Sequence, residues 1–316
     1  MDKNTKILVT GGTGFAGSHL IEELLAQGYT NIWSTTFSRV DSALLPADHY
    51  VQVNLTDEDA TKTMFSNIQP QAIFHLASFA YVGKSFDKAK ELFENNISLQ
   101  LSILNAVRDT APSARILTIG SAEEYGIVDQ AIEEIDESVA LHPINPYAVS
   151  KVTQDLLAGS YQLSFKLQII RARPFNHIGT RQTGDFAIPS FAAQVVAIEN
   201  GKQEKLLVGN LSGIRDFTSV SDMVKAYILL MEKGEVGEIY NIGSGRGYAM
   251  TEIVEILKKL AKVPIQLQED AARMRPLDVG RLVADNRKIV SLGWQPTMDI
   301  QNELQNVLEE WRKKVV

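Results

Sequence analysis

The sequence predicts an α/β protein: a doubly wound parallel sheet with a smaller, interleaved α/β domain. Three observations predict it. An apolar run, Ile7-Leu8-Val9, passes directly into glycines and then into a helical pattern. Strand-like runs keep alternating with helical ones for more than half the chain. The 211–248 region looks like a return to the sheet after an excursion that starts near His177.

The opening stretch is Lys6–Gly17, KILVTGGTGFAG. Its apolar part reads as a strand buried on both faces. Gly12, Gly14 and Gly17 fit G-x-G-x-x-G, and Gly11, Gly14 and Gly17 fit G-x-x-G-x-x-G. Leu20, Ile21, Leu24 and Leu25 then share a helix face, and Gly28 supplies a C-terminal stop. Strand, glycine turn and helix make a Rossmann-like dinucleotide site. The turn needs glycine where φ is positive. A diphosphate needs backbone bare enough for amides and a helix N-terminus to reach it. Gly11, Gly14, Phe15, Ala16 and Gly17 are therefore candidate cofactor contacts.

The second strand is Asn31–Thr36. In this architecture an acidic residue often ends it and binds the adenosine ribose. Here Thr35-Thr36-Phe37-Ser38-Arg39 has no carboxylate before Asp41. Arg39, with Ser38 adding a hydrogen bond, suits a 2′-phosphate. That favours NADP(H), with NAD(H) as the alternative; the plainer reading of Arg39 is a surface arginine. The third strand is Tyr50–Leu55 and the fourth Ala72–Ala77. Ligands of such sheets lie beyond the carboxyl ends of strands, so Asn54, Leu55, Leu76 and Ala77 join the cofactor candidates. His75 ends a buried strand and reads as structural. A helix with Ile97, Leu101, Leu104 and Val107 on its apolar face precedes the fifth strand, Arg115–Ile119.

A chain of 316 residues fits one large or two interlocked domains. Residues 1–176 with part of 211–248 are expected to form the dinucleotide domain, and 177–210 with 249–316 the substrate domain. Hydrophobic residues at 45% and charged residues at 22% give the balance of a soluble globular protein. A net charge of -7 argues against general nucleic-acid binding, but local arginines can still hold an anionic ligand. With no cysteine there is no disulfide, thiolate nucleophile or cysteine-bound zinc. The five histidines show no HExxH pairing, so no metal site is expected. No stretch looks like a signal core or a membrane span, which suggests the cytoplasm.

The fifth strand runs into Gly120-Ser121-Ala122-Glu123-Glu124-Tyr125-Gly126, which places Ser121 beside the expected cofactor. Tyr147 and Lys151, in Pro146-Tyr147-Ala148-Val149-Ser150-Lys151, are four apart and share a helix face. A free tyrosine, with a pKa near 10, is a poor base at neutral pH. A nearby ammonium favours the phenolate, and a lowering of about three units corresponds to roughly 4 kcal/mol. Y-x-x-x-K alone is common on helices. Glycine loop, serine and Y-x-x-x-K in this order are not.

In these elements the chain resembles the extended short-chain dehydrogenases/reductases, the nucleotide-sugar epimerases, dehydratases and reductases, from Lys6 to about Trp311. The resemblance implies that Ser121, Tyr147 and Lys151 form the catalytic triad. Tyr147 would exchange a proton with the sugar 4-oxygen, and Ser121 would hold that oxygen. Lys151 would lower the tyrosine pKa and grip the nicotinamide ribose. Asn176, in Arg173-Pro174-Phe175-Asn176-His177-Ile178-Gly179 after a sixth strand at Leu167–Ala172, resembles a position that contacts the sugar-nucleotide diphosphate. His177 is placed in the sugar pocket.

Gly209-Asn210-Leu211 with Arg215-Asp216-Phe217, and Arg273-Met274-Arg275-Pro276-Leu277-Asp278-Val279, resemble segments of GDP-mannose-processing members. Arg215 and Arg275 offer fork-shaped donors to a diphosphate, unless they are rim arginines in surface ion pairs. The implied reaction is NADPH-dependent reduction of GDP-4-dehydro-6-deoxy-D-mannose to GDP-D-rhamnose. The alternatives are a GDP-mannose 4,6-dehydratase, with Glu123 as base, or a 4-epimerase. A silent dinucleotide sensor is a further alternative.

Thr180-Arg181 and Leu99 depart from the family pattern. Asp222–Met231 and Thr251–Ala261 read as amphipathic helices, the latter with Ile253, Val254, Leu257 and Leu260 on one face. Asn241–Gly247 reads as a structural turn and Arg312-Lys313-Lys314 as a solvated terminus. The family suggests a homodimer through the helices around Asn96–Val107 and Tyr147–Tyr161.

Overall fold

Ile7, Leu8 and Val9 offer no polar face to water, and β1 (Ile7–Thr10) is buried throughout. The computed structural model describes residues 1–37, 44–80, 83, 85–274, 277 and 279–314. After β1 come α1 (Phe15–Ala26), β2 (Ile32–Thr36), β3 (Tyr50–Gln52), α2 (Glu58–Ile68), β4 (Ala72–His75), α3 (Ala89–Thr110) and β5 (Arg115–Ile119). Then follow α4 (Pro146–Phe165), β6 (Gln168–Pro174), β7 (Asn176–Ile178), α5 (Ala187–Glu199), β8 (Leu206–Val208) and β9 (Ile214–Ser219). The chain continues with α6 (Val220–Lys233), β10 (Ile239–Ile242), β11 (Gly247–Ala249), α7 (Met250–Leu260), β12 (Leu267–Glu269) and β13 (Arg281–Leu282). It closes with α8 (Arg287–Ser291) and α9 (Ile300–Lys314).

Seven strands form the main sheet in the order β10-β6-β5-β4-β1-β2-β3, and every pair in it is parallel. The order reverses between β1 and β4. Ligands of open parallel sheets bind at such a switch, in the crevice beyond the carboxyl ends of the strands. One face is covered by α1, α6 and α8, through Leu20, Ile21, Leu24, Met223, Tyr227 and Ile289. The other is covered by α2, α3 and α4, through Phe65, Ile103, Leu104, Val107 and Ala158. The smaller lobe has its own core around Phe191, Val195, Ile253, Leu257, Leu304 and Leu308.

Several elements differ in detail from the sequence reading. β3 ends at Gln52 and β4 at His75, so Asn54-Leu55 and Leu76-Ala77 are loop. β6 runs on to Pro174. Ile97 and Leu101 are only half-buried, whereas Leu99 and Ile103 sit in the core. Leu99 is thus accommodated by packing rather than disturbing it. The return to the main sheet is narrower than 211–248. β9 belongs to a second sheet, with β7, β11 and β13 around it, and only β10 rejoins the first. Arg312 is not solvated: it clamps Glu199 at 2.9 Å and donates to the Leu260 carbonyl at 3.1 Å.

The Asn241–Gly247 loop is a structural turn, as its sequence suggested, and Asp216 explains why. That buried carboxylate accepts the amides of Ser244 (2.8 Å), Gly245 (2.9 Å) and Ala284 (3.1 Å) and the Ser244 hydroxyl (2.6 Å). The loop amides are spent on the protein itself. Asp216→Ala leaves these donors without their acceptor, at about 1–3 kcal/mol for each one that stays buried. The variant should lose about 3 kcal/mol of stability in denaturant unfolding.

Candidate active site

The glycine turn is bare because side chains do not fit it. Gly11 has φ of +68°, and a Cβ on it would lie 3.1 Å from the Ala77 backbone. A Cβ on Gly17 would lie 2.7 Å from the Gly12 Cα and would overlap the Gly11 carbonyl. The Gly14 amide closes the turn on the Gly11 carbonyl at 3.0 Å. Gly14 is the N-cap of α1, with no side chain capping the helix. First-turn amides therefore face the crevice at the positive end of the helix dipole.

Threonines brace the turn. Thr35 Oγ1 accepts the Gly11 amide at 3.1 Å, and Thr10 Oγ1 accepts the Ala77 amide at 3.1 Å. Thr10 Oγ1 also bonds His75 Nδ1 at 2.8 Å. Burial pushes His75 down to about 3, with Lys151 adding to the shift, so the ring is neutral and structural. Leu76 and Ala77 are half-buried at the crevice, Leu55 is buried and Asn54 is exposed. The Asn54 carboxamide is occupied locally, accepting the Thr56 amide at 3.2 Å and hydroxyl at 2.9 Å. A side-chain-free cradle, free helix amides and a crevice at the switch point fit a dinucleotide.

Asn145 caps α4 by accepting the Ala148 amide at 2.8 Å, and Pro146 occupies the first turn. The cap brings the buried Tyr147 to the end of β5, near enough to Ser121 for that side chain to oppose the rise in its pKa. Lys151 Nζ donates to the Ile119 carbonyl at 3.0 Å and lies 5.9 Å from the centroid of the Tyr147 ring. Ser121, from the turn after β5, thus meets Tyr147 and Lys151 of α4 at one place. Glu123 is close by: its amide donates to Ser121 Oγ at 3.2 Å, and its carboxylate accepts from Asn145 at 3.3 Å.

The electrostatics run against one expectation. Burial pushes the Tyr147 phenol above its ordinary value, Ser121 works the other way, and Glu123 and Glu124 raise it further. The net effect is upward, not the lowering expected from Lys151. Burial also pushes Lys151 down to about 8, with Glu124 opposing. Tyr147 is therefore held as a protonated phenol, a proton donor.

On the substrate side, Asn176 is exposed at the start of β7. His177 stacks on Phe15 at 5.6 Å with an interplanar angle of 5°, so the smaller lobe touches the glycine turn directly. Asn210 is exposed, and its Oδ1 accepts the Ser212 amide and hydroxyl. Arg215 is not a rim arginine: it is 8% exposed and donates to the Ile214 carbonyl at 3.0 Å. These bonds of Asn210 and Arg215 are local to the smaller lobe. Ser38, Arg39 and Arg275 lie outside the described residues.

Sequence reasoning did not single out Asn96. Buried in α3, it donates to Ser150 Oγ at 3.1 Å and accepts the Phe79 amide at 2.8 Å. Ser150 in turn donates to the Tyr147 carbonyl at 2.8 Å, so Asn96 pins the first turns of α4. Its signal was a polar residue on the buried face of an amphipathic helix.

Residues 8–307 match the model of the GDP-mannose 4,6 dehydratase family. The chain belongs to the GDP-mannose 4,6-dehydratase family. Within this family it is 33% identical over 312 residues to GDP-6-deoxy-D-mannose reductase of Pseudomonas aeruginosa, covering 98% of both chains. It superposes on the structure of RMD from Pseudomonas aeruginosa complexed with NADPH with a TM-score of 0.85 and 31% identity, covering 98% of this chain and 100% of that one. Against the Thermus thermophilus UDP-glucose 4-epimerase complex with NAD, the TM-score is 0.83 at 25% identity, covering 97% and 98%. Other relatives are nucleotide-sugar epimerases and 4,6-dehydratases. The chain is an enzyme of this class.

Replacing Gly17 by alanine drives a Cβ into the turn. In a fluorescence titration with NADPH, the Gly17→Ala protein should bind at least tenfold more weakly than the wild type.

Proposed function

We propose that this enzyme reduces the 4-keto group of GDP-4-dehydro-6-deoxy-D-mannose, giving GDP-D-rhamnose, with NADPH preferred and NADH as a second choice. The observation that carries the reading is the convergence of Ser121 with the buried Tyr147 and Lys151 at the carboxyl end of β5, where Lys151 Nζ donates to the Ile119 carbonyl at 3.0 Å. The 33% identity to a GDP-6-deoxy-D-mannose reductase over nearly the whole chain supports it.

The cofactor diphosphate would lie on the Gly11–Gly17 turn and the α1 N-terminus, and Lys151 would hold the nicotinamide ribose. Ser38 and Arg39 would receive the 2′-phosphate. When bound, the reduced nicotinamide supplies a hydride to C4. Ser121 holds the 4-oxygen in place. Tyr147 gives that oxygen its proton as the C–O double bond becomes a single bond, so the product is a neutral alcohol. The Lys151 ammonium stabilises the phenolate left behind. Asn176, His177, Asn210, Arg215 and Arg275 would hold the GDP-sugar, the arginines at its diphosphate. We also propose that the reaction takes place in the cytoplasm.

The second reading is a 4,6-dehydratase, favoured by one observation: Glu123 sits on the same turn as Ser121 and faces Asn145. The two separate in one assay. Net oxidation of NADPH with the 4-keto sugar supports reduction. Turnover of GDP-mannose with no net change in cofactor rejects it. Tyr147→Phe should lower kcat at least 100-fold while NADPH affinity stays within about threefold. An unchanged kcat would overturn the catalytic assignment of Tyr147, whereas a wild type with no turnover on any nucleotide sugar would return the protein to the sensor class.

We also propose a homodimer built on α3 and α4. Val149, Leu156 and Leu163 recur every seven residues along α4, and the latter two are 60% and 67% exposed. The half-buried Ile97 and Leu101 of α3 suit the same face. A stripe of this kind on a helix otherwise packed into the fold favours a second helix of its own kind. Light scattering at micromolar concentration should report a dimer for the wild type and a monomer for Leu156→Glu with Leu163→Glu.

A further inference from the structure

The segment after β7 carries a set of contacts that the proposed reaction does not use. β7 belongs to the smaller lobe: it pairs with β9, and Ile178 is buried in that lobe's core. Yet residues 177–181 also run along α1 of the main sheet. His177 stacks on Phe15, with ring centroids 5.6 Å apart. Thr180 Oγ1 lies 3.5 Å from His19 Nε2, and the other nitrogen of that ring lies 3.0 Å from the Phe15 carbonyl. Arg181 donates from Nη1 and Nη2 to the two carboxylate oxygens of Glu22, at 2.8 and 2.6 Å. Phe15, His19 and Glu22 are spaced i, i+4 and i+7, so they form one face of α1. Gly179 lets the segment lie close: a Cβ there would fall 2.5 Å from Val220 Cγ1 at the start of α6.

Arg181 joins this strap to both lobes. Its amide donates to both carboxylate oxygens of Glu310 on α9, each at 2.8 Å, while its guanidinium holds Glu22. α9 packs into the smaller lobe through Leu304, Val307 and Leu308. One residue thus ties α9 to α1. Its backbone has φ of +71°, a left-handed conformation that suits glycine and strains any residue with a Cβ. The ion pair with Glu22 is 36% and 44% exposed, and a pair that open adds little to stability. A strained backbone and an open ion pair are a poor route to stability. They are a good route to fixing one element against another, because a two-pronged guanidinium–carboxylate pair is directional.

We propose that Arg181 is a positioning residue for the reduction: by tying the smaller lobe to α1, it sets where β7 holds the keto sugar over the nicotinamide. This role rests on the reading of Asn176 as a sugar contact and of Tyr147 as the proton donor. Asn176 opens β7, only five residues before Arg181, and α1 starts at the glycine turn. α1 itself is fixed, since Leu20, Ile21 and Leu24 bury it against the main sheet. The strap therefore places β7 on α1 rather than the reverse. Loss of the Arg181 side chain is felt by the sugar and not by the cofactor.

Arg181→Gly removes the guanidinium while giving the left-handed backbone the residue it prefers. Its melting temperature should stay within about 2 °C of the wild type. With the 4-keto sugar, kcat should fall by about fivefold or more and KM for that sugar should rise about threefold, while the Kd for NADPH alone stays within about twofold. Glu22→Gln leaves residue 181 untouched and should show the same pattern, more weakly. Arg181→Glu sets two carboxylates against each other, and its kcat should fall by about twentyfold. Adding Glu22→Arg to Arg181→Glu reverses the pair and should bring kcat back to within about threefold of the wild type.

A wild-type kcat and KM in Arg181→Gly overturn the proposal. So does a loss of NADPH affinity as large as the loss of kcat, which would make the strap a brace for the cofactor turn. A reversed pair no better than Arg181→Glu overturns it, since the contact itself would then not matter. A large fall in melting temperature in both Arg181→Gly and Glu22→Gln overturns it too, because the pair would serve stability alone. Tyr147→Phe separates the two levels: an active Tyr147→Phe removes the underlying reading, whereas an inactive one beside an unaffected Arg181→Gly removes only this inference.

Discussion

A lysine ammonium buried under a sheet edge is the constraint on which this site depends. Removing such a group from water costs several kcal/mol unless acceptors and counter-charge replace the lost hydration. Lys151 finds its acceptor in the Ile119 carbonyl, at 3.0 Å, on the last residue of β5. Holding the lysine therefore also holds the serine turn and the first turns of α4, and the phenol of Tyr147 comes with them. Asn96 and Asn145 secure the same helix start from two other directions.

The parallel sheet makes this convergence possible. Strands β1, β4 and β5 lie side by side with their carboxyl ends on one edge. The glycine turn after β1, the Leu76-Ala77 loop after β4 and Ser121 after β5 then face one crevice. Each is a short loop on a rigid strand, which fixes the geometry more tightly than a long loop would. His177 of β7 stacks on Phe15 at the start of α1, directly beside the glycine turn. A change at the start of β7 would therefore be felt at the glycine turn.

Much of this was legible in the chain. The glycine turn, the five alternating strands and the Ser–Tyr–Lys order are local patterns, and local patterns survive in one dimension. The sequence reading also caught the structural character of His75 and of the Asn241–Gly247 loop. What it missed depends on distance in the chain. Asp216 holds that loop from another strand, and Arg173 meets Glu124 and Asp155 across three elements. No spacing rule brings such partners together. The direction of the Tyr147 shift was misjudged for a related reason. A lysine four residues away is visible in sequence, but the burial that outweighs it is a property of the fold. Arg215 repeats the lesson: its type left a diphosphate donor and a rim arginine both open, and its burial in β9 excludes the rim.

The central chemical claim is that a hydride passes to C4 of the sugar while Tyr147 supplies the proton. Transfer from NADPH deuterated on the nicotinamide C4 tests it most directly. One deuterium is expected at C4 of the product GDP-sugar, found by NMR and mass spectrometry, with none arriving from solvent at that carbon. A product without cofactor-derived deuterium at C4, or one labelled from heavy water at C5, would contradict it.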